Sequence, residues 1–146
     1  MSKFAQSRFI MKYPEKYVGT KTPLARSSWE YVFMRTLDEH PGVENWASES
    51  VQIPYRDPLT GRNTIYVPDF FIVYNDKNGK KHAELVEVKP ASQTLREKVG
   101  KSMYNQQQYI KNIAKWEAAR AWCAQKNVKF RVVTESEIFH QGTKRK

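Results

Sequence analysis

Cysteine is almost missing: Cys123 stands alone in 146 residues, which excludes an internal disulfide and any cysteine-built zinc centre. Long apolar runs are missing too. No stretch approaches the ~20 residues of a membrane span, and no basic amphipathic helix with a clean apolar face points to a lipid surface. The N-terminal MSKFAQSRFIMKYPEK is basic but lacks the apolar region and small-residue cleavage site of a secretory signal. No glycine-rich phosphate loop or nucleophile elbow occurs, so no nucleotide cofactor is indicated. His40, His82 and His140 lie too far apart for metal-ligand spacing and read as surface or turn residues. Acidic residues are the minority charge, with 15 Asp and Glu against 25 Lys and Arg, a net +10. That excess favours a polyanionic partner, nucleic acid first, over a merely basic surface.

The length suits one domain, and 13% aromatic content supplies bulk for a core. Residues 1–26 mix Lys and Arg with Phe4, Phe9, Tyr13 and Tyr17, without helical period and with Pro14, Gly19 and Pro23 interrupting. They read as an extended basic arm that packs aromatics on the domain. A helix begins at Ser27, where Ser27-Ser28-Trp29-Glu30 fits a capping box in which Glu30 reaches back to the cap. Trp29, Val32, Phe33 and Leu37 form its apolar face, and Pro41-Gly42 ends it. Strands are expected over Glu49–Tyr55, Ile65–Tyr74, Ala83–Lys89 and Val128–Thr134. Met103–Asn127 is the longest helical pattern, with Ile110, Ile113, Ala114, Ala118, Ala121 and Trp122 on one face and Cys123 packing beside it. Ala91–Gly100 reads as a loop. Thr134-Glu135-Ser136-Glu137 opens a short final helix through Phe139, before a basic tail, Lys144-Arg145-Lys146. Helix, three strands, helix, strand makes an α/β domain with a mixed central sheet flanked by helices, an αβββαβ core.

Chemistry concentrates between Val67 and Pro90. Side chains alternate on a strand, so Leu85, Glu87 and Lys89 share one face and Val86 and Val88 the other. Asp69 and Glu87 are equidistant from Asn78 in the turn, so a symmetric hairpin sets them opposite, or one residue out of step. Pro68 cannot donate to a ladder and should sit where pairing loosens. Two converging carboxylates repel when ionised, and a hard cation removes the conflict; oxygen-only ligands suit magnesium, with manganese as substitute. Lys89 beside them would orient an attacking water or neutralise the charge of in-line phosphodiester hydrolysis. The plainer alternative is the polar face of an edge strand.

Pro68-Asp69 followed by Glu87-Val88-Lys89 resembles the PD-(D/E)XK nuclease signature, and the element order resembles the restriction-endonuclease-like core. Ser28-Trp29-Glu30, Trp46-Ala47-Ser48-Glu49, Ile53-Pro54-Tyr55, Lys115-Trp116-Glu117-Ala118-Ala119 and Lys129–Glu135 resemble the head-completion nucleases of T-even-like tailed phages, from about Tyr17 to Glu135. The TnsA endonuclease that cuts transposon ends is a more distant likeness. This resemblance implies a metal-dependent DNA endonuclease acting in head completion and head-tail joining, in the host cytoplasm. Head or portal proteins would be its partners, and residues 27–140 the nuclease domain between the arm and a tail at 141–146. It implies Asp69, Glu87, Lys89 and Glu30 as catalytic, with Asp69, Glu87, Glu30 and the Val88 carbonyl as metal ligands. One of Gln106, Gln107 and Gln108 would assist. A junction resolvase or transposon-end nuclease on the same core, and a noncatalytic DNA- or portal-binding adaptor, are the alternatives.

Overall fold

Alternation along one hairpin decides the layering of the molecule. The computed structural model describes residues 6–91, 94 and 100–134. In chain order it runs β1 (Ser7–Arg8), β2 (Leu24–Ala25), α1 (Ser28–Glu39), β3 (Val43–Ser48), β4 (Ile53–Arg56), β5 (Asn63–Tyr66), β6 (Phe70–Asn75), β7 (Lys81–Val88), α2 (Met103–Lys126) and β8 (Lys129–Val133). The central sheet has the order β3-β6-β7-β8; β3, β6 and β7 are antiparallel neighbours, and β8 joins β7 in parallel after the α2 crossover. The sheet is therefore mixed and lies between helices, the α/β restriction-endonuclease-like arrangement expected.

On one face Trp46, Phe70, Ile72, Val86 and Val88 pack against Phe33, Met34 and Leu37 of α1. On the other, Leu85, Phe71, Phe130 and Val132 pack against Trp116, Ala119 and Cys123 of α2, together with Ile53, Tyr55 and Tyr66 of the separate β4–β5 hairpin. From Glu84 to Val88 the central strand β7 is buried, and it carries two acids, Glu84 and Glu87, into the interior with its apolar residues.

Three expectations need correction. The first strand of the central sheet is Val43–Ser48, ended at Glu49 by a left-handed φ of 51°; of Glu49–Tyr55 only Ile53–Tyr55 is strand, and it belongs to the side hairpin. The run Ile65–Tyr74 is two strands, because Val67-Pro68-Asp69 interrupts it and sends Asn63–Tyr66 into the side hairpin. The face of α2 is also different. Its buried residues are Asn112, Trp116, Ala119 and Cys123, whereas Ile110, Ile113 and Ala121 are exposed and Ala114, Ala118 and Trp122 only flank the core. Packing partners, not the count of aliphatic side chains, choose a helix face.

Residues 6–26 are fastened to the domain. β1 pairs with β2, Phe9 is buried against Trp46 and Tyr31, and Tyr17 bridges to Trp46. Asp38, 1% exposed, accepts the Lys12 and Tyr13 N–H groups at 2.8 and 3.1 Å. The Lys16 ammonium donates to the Asp38 and His40 carbonyls at 2.7 and 2.8 Å, a cation on the negative end of α1. The expected final helix and basic tail, and most of the loop after Pro90, lie outside the described residues.

Candidate active site

The β6–β7 turn is closed by Gly79 at a φ of 80°, where only glycine is unstrained, and by Asp76, which accepts the Asn78 and Lys80 N–H groups. From that turn the register is symmetric. Phe70 stands opposite Val86, so Asp69 lies opposite Glu87, one step beyond the last β6 pair. Pro68, fully buried between β5 and β6, parts the strands there. Freed from the ladder, Asp69 accepts the Val88 N–H through Oδ2 at 2.8 Å, and its carbonyl accepts the Glu49 N–H.

Glu87 is 4% exposed. Its Oε1 accepts the Tyr66 hydroxyl at 2.9 Å, and its Oε2 lies 3.5 Å from the Lys89 ammonium. Burial is the main force raising the Glu87 carboxyl above its ordinary pKa, opposed by Lys89, the Tyr66 hydroxyl and Lys115. Asp69 is raised well above the carboxylate range by burial and then by the charges of Glu87 and Glu30, with the Val88 N–H and Lys89 opposing. The charges of Glu87 and Glu30 thus make Asp69 harder to ionise, a conflict that a cation bound at the pair would relieve.

Glu30 enters from the first turn of α1. The Ser27 hydroxyl accepts the Glu30 N–H at 3.1 Å, the expected cap. The Glu30 carboxylate, however, reaches past the cap and accepts the Arg26 N–H at 2.9 Å. The guanidinium of Arg26 grips both Glu49 oxygens, at 2.9 and 3.2 Å, so one residue positions two acids. Burial raises the Glu30 pKa, the Arg26 N–H lowers it, and the charge of Glu49 raises it. Among the described residues no three His, Cys, Asp or Glu side chains come together closely enough to hold an ion between them. The pair that the β6–β7 register sets opposite, Asp69 and Glu87, offers oxygen ligands only. That set fits a hard cation which takes one or two carboxylates and keeps its remaining waters.

Lys115 and Tyr66 have no role in the sequence reading, yet both face Glu87. The Lys115 ammonium lies 5.6 Å from the Tyr66 ring centroid, and its pKa is lowered by burial and by Lys89. The sequence signal for Lys115 was its place one residue before a buried tryptophan; for Tyr66, its place just before the strand break. Gln106 and Gln107 are exposed and Gln108 is half-buried; Gln106 donates to the Gly100 carbonyl. His82 lies 2.8 Å from Asp76 and stacks on Tyr74, and His40 Nδ1 accepts the Gly42 N–H, both away from the acids. His140 lies outside the described residues.

Residues 40–135 match the family described as TnsA-like endonuclease N terminal. The chain is also similar to the head completion nuclease of Enterobacteria phage T4. The two are 29% identical over 147 residues, covering 94% of this chain and 95% of that protein.

Proposed function

Because the chain belongs to the TnsA-like endonuclease N terminal family and is by that relationship a nuclease, we propose that it is a metal-dependent DNA endonuclease with Asp69, Glu87 and Lys89 at its centre. The observation that carries this reading is the buried Asp69–Glu87 pair, freed from the sheet at Pro68 and left short of positive charge beside Lys89. Asp69, Glu87 and the Val88 carbonyl would hold magnesium, or manganese in its place, and Glu30 would join through its second oxygen or a water. Bound there, such an ion lowers the pKa of a water and offsets charge on the phosphate.

This chain's residues do the positioning. The Val88 N–H and Tyr66 hydroxyl fix one oxygen each of Asp69 and Glu87, leaving Asp69 Oδ1 to turn toward a ligand and Glu87 Oε2 beside Lys89. Lys89, only 3.5 Å from Glu87, is placed to orient water toward phosphorus and to stabilise the pentacoordinate charge. The buried Pro68 and Tyr66 exclude bulk water from one side of the pair.

Likeness over nearly the whole length to a head completion nuclease supports a role in finishing filled phage heads and joining them to tails, inside the host cell. No helix among the described residues is long and apolar enough to cross a membrane. Two assays test the reading. Supercoiled plasmid should be nicked with magnesium or manganese and spared when a chelator is present. Phage carrying Asp69→Asn should accumulate filled heads without tails. Chelator-resistant nicking contradicts the metal requirement, and normal tailed particles contradict the assembly role.

A further inference from the structure

The β4–β5 hairpin stands outside the central sheet, and hydrolysis at Asp69 and Glu87 does not account for most of it. Its strands pair from Ile53 with Tyr66 to Arg56 with Asn63. Alternation turns Ile53, Tyr55 and Tyr66 into the core, so Pro54, Arg56, Asn63 and Ile65 face outward and are exposed. The acid of its turn, Asp57, is itself turned in. It is 9% exposed, its Oδ1 accepts the Leu59 N–H at 2.9 Å, and the Lys111 ammonium lies 3.9 Å from its Oδ2. The wing therefore shows no exposed carboxylate, whereas Arg56 and Arg62 are exposed and make no ion pair or side-chain hydrogen bond among the described residues.

Helix α2 runs beside this wing and adds two half-buried cations along it. Lys115 lies over Tyr66 at the root, and Lys111, one turn earlier, lies at Asp57 near the tip. We propose that Lys115, Lys111, Arg56 and Arg62 form a track that binds the phosphate backbone of duplex DNA to one side of the bond being cut. The proposal rests on the DNA-nuclease reading and adds where the substrate lies. Dimensions agree with it. The four residue steps from Tyr66 to Arg62 span ~13 Å of extended chain, and the four from Lys111 to Lys115 span ~6 Å of helix. One DNA strand offers a phosphate every ~3.4 Å of axis, so the track reaches about four phosphates from the site. A two-stranded ribbon is also narrow enough to lie along the major groove.

The test is duplex binding as a function of salt, read by fluorescence anisotropy in an Asp69→Asn background so that the probe is not cut. Adding Arg56→Ala and Arg62→Ala should weaken binding roughly tenfold at low salt and flatten the log–log salt slope by about 2, near one per phosphate contact. Lys77→Ala with Lys80→Ala removes equal charge from the β6–β7 turn at the far end of the sheet and should change neither value. An unchanged slope in the arginine variant, with its melting temperature intact, overturns the track. No duplex binding in the background protein overturns both the track and the DNA reading. Binding with the expected slope change, from a wild type that cuts nothing, overturns the nuclease reading alone.

Discussion

The Tyr66 hydroxyl donates to Glu87 at 2.9 Å across 21 residues of chain, tying the side hairpin to the acid pair on the central sheet. A hydrogen bond given to the charged form holds a carboxyl pKa down. In Tyr66→Phe that support is gone, so Glu87 must ionise at higher pH. The acid limb of the kcat/KM profile should move to higher pH, with activity at neutral pH down about tenfold and partly regained in alkali. An unmoved profile contradicts a Tyr66–Glu87 bond in the working enzyme.

Asp69, Glu87 and Glu30 all have raised pKa values through burial. The folded protein then holds protons that the unfolded chain releases. Metal-free stability should therefore fall as pH rises from the ordinary carboxylate range, near 4, towards neutrality. Asp69→Asn removes the largest charge conflict while its amide oxygen can still accept the Val88 N–H. Without metal at pH 8 it should melt higher than wild type, by about 2–4 °C for each kcal/mol gained. At pH 4 the two should coincide, and magnesium should raise the wild type more than the variant. Scanning calorimetry at the two pH values decides it.

Glu30 has two separable jobs. Glu30→Gln keeps an oxygen for the Arg26 N–H, so stability at pH 4, where the acid is protonated, should change by less than about 0.5 kcal/mol. Activity should drop about a hundredfold if the carboxylate charge serves the site. Ser27→Ala should do the reverse, costing about 1 kcal/mol through the lost cap with little change in turnover. A Glu30→Gln enzyme with full activity would reduce Glu30 to a structural residue.

Lys115 is the second cation acting on Glu87. Lys115→Met keeps the stem packed over Tyr66 and removes the charge. Turnover should fall about tenfold with the fold intact, as measured by single-turnover cleavage alongside circular dichroism.

The site was legible where local rules decide it. Hairpin symmetry about Asn78 was enough to set Asp69 against Glu87, and a proline without an N–H marked where the strands part. Distant packing was not legible. Val43–Ser48 interleaves Glu44 and Asn45 with its apolar residues, and becomes a strand because Trp46 finds Phe70, Phe9 and Tyr17. On α2 the buried Asn112 hides the true face from any count of hydrophobic residues, while Ile110 and Ile113 stay exposed. Lys115 gains its place only because that face sets α2 over Tyr66, a relation no short motif contains.

The central claim is that the Asp69–Glu87 pair is where DNA is cut. Single-turnover cleavage of a labelled duplex with saturating magnesium, by wild type and by Asp69→Asn at equal DNA occupancy, tests it most directly. A cleavage rate lower by about a thousandfold or more in the variant, with duplex binding and melting behaviour preserved, is the predicted result. Cleavage by Asp69→Asn at the wild-type rate would contradict it.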